Sequence, residues 1–191
     1  SDLSLPFDPF YRHFLRYFTC LEMVGKLGRN ETWLDCACGS GYGTEFLHNF
    51  TERIDGLDID KPTIERARQI YNRNNINFYY DHKDLVSKFY DIIFSVETIE
   101  HVDEKAGIGF LQSLYQKLKD SGSLIITTPI VSETCYSPKN KYHKLEYDVE
   151  HFRSLLRKTG FKVTKEKFVE TTFTDGETKQ QGYFLCTKII P

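Results

Sequence analysis

Apolar positions alternate along the chain between two periods, and that alternation lays out the elements. Phe10, Phe14, Tyr17, Phe18, Leu21 and Val24 recur at helical spacing after a proline-containing lead, so the chain opens on a helix over 10–24. Thr32 to Cys38 are β-prone or small apolar residues, as in a buried parallel strand. A glycine turn follows, and then a helical stretch over 44–50. Strands are expected at Arg53–Ile59, Ile76–Tyr80, Tyr90–Ser95 and Ser123–Thr128, the last stopped by Pro129. Helices separate them at 61–73, with Pro62 in the first turn and Ile64, Ala67 and Ile70 facing inward, and at 104–119. Lys119-Asp120-Ser121-Gly122 reads as a turn feeding the fifth strand. Asp148 to Thr159 is a helix with an acidic first turn and a basic last turn, closed by Gly160. Phe161–Val169 and Tyr183–Ile190 then read as an antiparallel pair joined through Asp175-Gly176.

Strands alternating with helices and ending in a hairpin predict an α/β fold, a doubly wound, mostly parallel sheet of seven strands. With 191 residues, one domain is expected, made of a helical segment at 1–31 packed on a core at 32–191. The polar, Tyr-rich stretch from Ile130 to Glu146 has no period, and a connection of that length inside a compact domain is usually functional.

Composition narrows the function classes. The net charge is −2, so no overall basic field demands nucleic acid or an anionic membrane. No apolar run reaches the roughly 20 residues of a membrane span, and no signal pattern opens the chain; a cytoplasmic protein is expected. Five cysteines lack the paired spacing of a zinc site or a disulfide framework. Cys36 and Cys38 read as small residues at a strand end rather than as a metal or redox pair.

The chemistry concentrates at Thr32–Phe50. Gly39, Gly41 and Gly43 stand on alternate positions between strand and helix, where the backbone must turn tightly and let a ligand approach. Asp58 lies nineteen positions after Gly39 at the end of the next strand, the spacing of an acid that accepts hydrogen bonds from ribose hydroxyls. The glycines fall as G-x-G-x-G, not as the dinucleotide G-x-G-x-x-G, which disfavours a nicotinamide oxidoreductase. After the fourth strand, Glu97, Glu100 and His101 would share one face if a helical turn began there, and two carboxylates with an imidazole can hold a divalent metal. His143 in the long connection borders the same cleft and is a candidate fourth ligand.

With L-D-C-A-C-G-S-G-Y-G ahead of G-L-D, the chain resembles class I S-adenosylmethionine-dependent methyltransferases over Phe10 to the C-terminus. The resemblance implies S-adenosylmethionine as cofactor. It places cofactor contacts at Asp35, Cys36, Ala37, Gly39, Gly41, Tyr42, Asp58, Ile59, Ser95 and the adenine-bracketing pair Asp81 and His82. The Arg16-Tyr17 pair resembles an R-Y of a covering helix, which would set Arg16 against the cofactor carboxylate. E-x-x-E-H at Glu97–His101 is similar to the ubiquinone-biosynthesis O-methyltransferases, and with the later His143-Lys144-Leu145-Glu146 to enzymes that 2′-O-methylate small-RNA 3′ ends. In both groups those positions are associated with metal-dependent hydroxyl methylation. This implies Glu97, Glu100, His101 and His143 as ligands of magnesium or manganese, with His101 and Glu97 catalytic. The expected reaction is O-methylation of a small-molecule or sugar-like acceptor. RNA is the alternative partner, supported by Lys139, Lys141, Lys144, Arg153, Arg157 and Lys158. A catalytically silent adenosyl-binding subunit is the reading of another class.

Overall fold

The computed structural model describes residues 9–25, 30–87, 89–136, 139–172 and 178–190. The expected turn at Asp175-Gly176, most of the turn before Glu31 and the side chain of Phe10 lie outside the described residues. The strands are β1 (Thr32–Cys36), β2 (Arg53–Leu57), β3 (Ile76–Tyr79), β4 (Tyr90–Val96), β5 (Leu118–Ile130), β6 (Phe161–Thr172) and β7 (Thr178–Lys188). They form one seven-stranded sheet in the order β3-β2-β1-β4-β5-β7-β6. The pairs from β3 to β5 are parallel, while β7 runs antiparallel to both β5 and β6. This is a doubly wound, mostly parallel α/β sheet completed by an antiparallel strand, as the alternation of periods predicts.

The helices are α1 (Pro9–Val24), α2 (Tyr42–Leu47), α3 (Lys61–Ile70), α4 (Glu104–Lys117) and α5 (Val149–Lys158). Successive side chains of a strand point to opposite faces, and the core divides accordingly. Trp33, Ile92, Phe94 and Ile125 join residues of α1, α2 and α3 on one face. Leu34, Ile93, Leu124 and Ile126 meet those of α4 and α5 on the other. Burial on both faces explains why the central strands read as continuous apolar runs. Among the described residues no helix is long and apolar enough to cross a membrane.

Three local expectations are corrected. On α1 the buried positions are Tyr17, Cys20 and Met23, whereas Phe18 is 45% exposed. Ile70, the last residue of α3, is exposed, and only Ile64 and Ala67 of that helix are buried. β5 takes in the expected turn at Lys119–Gly122, with a register irregularity between Tyr90 and Ile92, and it runs through Pro129 to Ile130. Proline is tolerated there because the β4 ladder ends at Thr127, and beyond it only an isolated bridge from Ile130 to Tyr147 continues on that side.

Candidate active site

The glycine turn is built from left-handed backbone. Ala37 (φ 62°), Gly39 (φ 52°) and Gly41 (φ 85°) fall within five residues at the carboxyl end of β1. Alanine in that region costs roughly 1–3 kcal/mol, and such strain collects where a site requires it. The turn is closed by its own hydrogen bonds: Cys38 N–H donates to Leu57 O (3.0 Å) and Gly41 N–H to Cys38 O (3.0 Å). Asp58 completes it, accepting from Gly39 N–H (2.8 Å) through one oxygen and from Asp60 N–H (3.0 Å) through the other. A carboxylate set at the rim of β2 against the turn stands where a ribose would meet it. Beside it Ile59 is 92% exposed, an apolar side chain on open display next to the acid.

Asp35 lies beneath this rim. It is fully buried, and its two oxygens accept from Tyr17 Oη (3.0 Å) and Thr44 Oγ1 (2.7 Å). Burial pushes its carboxyl up to about 6, against the opposing pull of those two hydrogen bonds. α1 is therefore fastened to the turn from below. A Cβ at Gly43 would sit 2.1 Å from the Tyr17 ring, so this third glycine makes room for α1 rather than for a ligand. The Cys36 thiol is buried and raised to about 12, which makes it a packing group and not a nucleophile. Tyr42 stands at the start of α2 with its ring edge-on to Tyr17 and His13. At the end of β3, Asp81 accepts from Lys83 N–H (2.9 Å) and His82 is exposed beside it. Ser95 is buried on β4 and its hydroxyl has no partner.

The second half of the rim follows β4 and β5. Glu97 has φ 53°, so the chain leaves β4 through a left-handed residue before a short 3-10 turn at Ile99–His101. That kink separates Glu97 from Glu100 and His101, and the single helical face expected for the three does not form. Glu97 instead accepts from Thr127 Oγ1 (2.8 Å) and Gln181 Nε2 and pairs with Arg16 Nη2 (3.0 Å). Arg16 thus meets a protein carboxylate from α1, at the mouth of the region where the cofactor carboxylate was expected.

Glu100, His101 and His143 do converge. One ligand atom from each lies within 4.8 Å of the others. The two rings meet edge-on with centroids 5.0 Å apart. His101 Nδ1 is 2.9 Å from the Tyr142 carbonyl, and His143 Nδ1 is 2.6 Å from Glu146 Oε1. A carbonyl or an ionised carboxylate can only accept, so each ring holds a proton on Nδ1, and a neutral ring then keeps its lone pair on Nε2. Glu100 is fully buried; Thr128 Oγ1 donates to its Oε2 (3.2 Å), while Oε1 has no partner. Burial, and then the neighbouring charge of Glu97, hold its carboxyl well above the ordinary range. A buried carboxylate oxygen left without a donor is costly, by roughly 1–3 kcal/mol or more, unless something fills the gap. One carboxylate oxygen and two imidazole nitrogens make a mixed donor set that suits manganese or another first-row divalent ion better than magnesium, which prefers oxygen ligands. Four buried cysteines join no such cluster among the described residues.

A cavity of about 430 Å³ opens at this cluster, walled by α1, the turn after β4, the long connection and the β6–β7 hairpin. The profile described as Methyltransferase domain matches residues 10–166, most of the chain. The chain belongs to the S-adenosylmethionine-dependent methyltransferase family. A protein of Mycolicibacterium smegmatis named as a probable S-adenosylmethionine-dependent methyltransferase is 28% identical over 134 residues, 68% of this chain and 51% of its own length. The ubiquinone biosynthesis O-methyltransferase of Hydrogenovibrio crunogenus is 25% identical over 184 residues, covering 93% of this chain and 69% of its own. The chain therefore spans about half to two-thirds of the length of these relatives. A solved S-adenosylmethionine-dependent methyltransferase from Leishmania major shares the fold at a TM-score of 0.76 and 21% identity, over 92% of this chain and 73% of that one.

Membership of the methyltransferase family makes S-adenosylmethionine the methyl donor and leaves the acceptor unnamed. Sequence reasoning missed Thr127, Thr128 and Gln181. The two threonines lie near the carboxyl end of β5, a place the carboxyl-edge rule does point to. Gln181 carried no local signal, because it reaches Glu97 from a strand 84 positions away.

Proposed function

We propose that the chain transfers the methyl group of S-adenosylmethionine to a hydroxyl of a small, sugar-like molecule, assisted by a divalent cation. The observation that supports this most is the convergence of Glu100, His101 and His143 in a cavity bordering the cofactor rim. In this reading Gly39, Gly41 and Ala37 let the cofactor approach the backbone. Asp58 accepts from the ribose hydroxyls, Ile59 covers one adenine face, and Asp81 and His82 meet the adenine edge. The acceptor oxygen attacks the methyl carbon, the carbon–sulfur bond breaks, and its electron pair stays on sulfur. A sulfonium is already an excellent leaving group, so holding the acceptor in line at near-attack distance supplies most of the rate.

The hydroxyl proton must also leave. His101 Nε2, with Nδ1 tied to the Tyr142 carbonyl, is oriented to take it. A magnesium or manganese ion held by Glu100, His101 and His143 would lower the hydroxyl pKa instead. Nε2 serves one role at a time, ligand or base. Glu97, saturated by Thr127, Gln181 and Arg16, acts in this reading as a fixed wall. Calorimetry with S-adenosylhomocysteine, with and without magnesium or manganese, tests the proposal. Cofactor binding is expected at micromolar concentrations, and a cation site that disappears in Glu100→Gln. No cation binding under either condition sinks the metal-assisted part.

RNA 2′-O-methylation is the second reading. It is favoured by Lys139, Lys141 and Lys144, all exposed around His143. Against it, Arg153 and Arg157 line a different groove with Lys162 and Lys165, and Arg153 is engaged by Glu166 and Glu150. A steep fall of RNA affinity with salt would favour RNA.

A further inference from the structure

The sheet ends in a long open edge. β6 pairs with β7 on one side, and among the described residues no strand pairs with its other side. In an antiparallel pair every second residue turns its N–H and C=O outward, so a row of main-chain donors and acceptors faces away from β7. The opposite edge strand, β3, has four residues and this one has twelve. The ladder with β7 is irregular between Val163 and Lys165, where Thr164 Oγ1 donates to Leu185 O (3.0 Å). Beyond that bulge the pairing runs regularly from 165 to 172.

The charges around the bulge are positive. A groove of about 750 Å³ lies there, and Phe161, Val163 and Ile189 supply its apolar lining. Phe161 and Val163 pack on the α5 face of the sheet, so Lys162 between them lies on the other face. Lys165 joins it, because its cross-strand partner Leu185 packs on the α1 face. Arg157, in the last turn of α5, borders the groove from the α5 side. Arg153 is engaged by Glu150 and Glu166, and Lys167 by Glu22 at 3.8 Å. Arg157, Lys162 and Lys165 are exposed and make no hydrogen bond or ion pair among the described residues.

Each of these cations has a local reason, edge protection for the lysines and the helix end for Arg157. Together they flank an open ladder on both faces, beside Ile189, which is 43% exposed. Two copies brought edge to edge would set this positive cluster against positive charge or leave it unmatched. An acidic chain would match it.

We propose that β6 is a docking edge for an extended acidic segment of another protein, which adds to the sheet as a further strand. Its main chain pairs along 165–170, and its acidic end passes the bulge, between Lys162 and Lys165 on one face and Arg157 on the other. In strand addition the main-chain bonds give affinity and the side chains give selectivity. The edge is separate from the methyl-transfer site, yet β6 and β7 reach that cavity through Val169, Gln181 and Tyr183.

The test is an NMR titration of the nitrogen-15-labelled full chain with the capped peptide EEVTVEE, whose acids at both ends serve either strand direction. Shifts are expected in β6 and the last turn of α5, with Kd at or below about 1 mM, weakening about fivefold or more between about 20 and about 200 mM salt. The neutral peptide QQVTVQQ should bind about tenfold more weakly. N-methylation of alternate peptide nitrogens should abolish binding in one phase and leave it within about threefold in the other. In the double variant Lys162→Gln, Lys165→Gln the tenfold preference should shrink to about threefold or less, with the remaining spectrum unchanged. No shifts at 2 mM peptide, equal binding of the two peptides, or indifference to N-methylation in both phases overturns the proposal. So does an eight-nucleotide RNA that shifts the same residues at far lower concentration, or a dimer in sedimentation that Lys165→Glu dissociates.

Discussion

The two halves of the carboxyl rim are finished to different degrees. Around β1 and β2 the polar groups of the turn are paired: Gly39 and Asp60 N–H with Asp58, Gly41 N–H with Cys38 O, Asp35 with Tyr17 and Thr44. Past β4 an oxygen of the buried Glu100 carboxyl has no donor among the described residues, a glutamate sits at φ 53°, and two imidazoles converge on that carboxyl. The first half is preformed and needs only a ligand of the right shape. The second is left incomplete in a way that a cation and a hydroxyl would complete. Preorganisation lowers the cost of ligand ordering, so the finished half is the one expected to bind strongly by itself.

The sharpest way to break this contrast is Glu100→Gln. If the incomplete half is catalytic, turnover should fall by about 10²- to 10⁴-fold while S-adenosylhomocysteine affinity stays within about twofold. Unchanged turnover would leave the orphaned oxygen without a role.

Acidity probes the finished half. Asp35 rises from 3.8 to about 6 on folding, so the folded chain binds its proton more tightly than the unfolded chain does. The sign follows: stability from this group is complete below about pH 4 and is lost as pH climbs to about 6, by of order 3 kcal/mol, then stays level. Urea unfolding of the wild type and Asp35→Asn between pH 4 and 7 should show a slope in the first that is reduced in the second. Parallel slopes would mean the Tyr17 and Thr44 contacts hold Asp35 ionised.

Asp58→Ala removes the acid that a ribose would meet, together with the contacts to Gly39 and Asp60. S-adenosylhomocysteine affinity should drop by about 10- to 100-fold, with the far-ultraviolet circular dichroism preserved. A loss below threefold would show that the ribose is held elsewhere.

Gly43→Ala tests how α1 is fastened to the turn. The new methyl displaces Tyr17, loosening α1 from the turn at a cost of about 1–3 kcal/mol in thermal or urea unfolding. Tyr17→Phe supplies the control, removing the hydroxyl while keeping the ring.

The fold was readable because its signals are local. Glycines beside a buried strand, an aspartate nineteen positions on, and apolar runs between helical periods lie within single stretches of chain. Pro129 was misread as a stop because its tolerance depends on where β4 ceases to pair, a fact of the neighbouring strand. Of the candidate site, only the clustering of three side chains was legible. Glu100, His101 and His143 converge as their residue types and strand ends suggested. Glu97 does not, because its backbone angle and its partners Arg16 and Gln181 are tertiary facts, drawn from both ends of the chain.

The placement of Gln181 and Lys179 on the last hairpin has a bearing on how such enzymes diversify. In the proposed reading the donor is recognised by residues 35–82, early in the chain, whereas one wall of the cavity beside Glu100 comes from β6 and β7. Those strands lie at the margin of the sheet, and β6 pairs with β7 alone. If that cavity holds the acceptor, as proposed, altering a few side chains along that margin would redirect which molecule receives the methyl group without disturbing how its source is held.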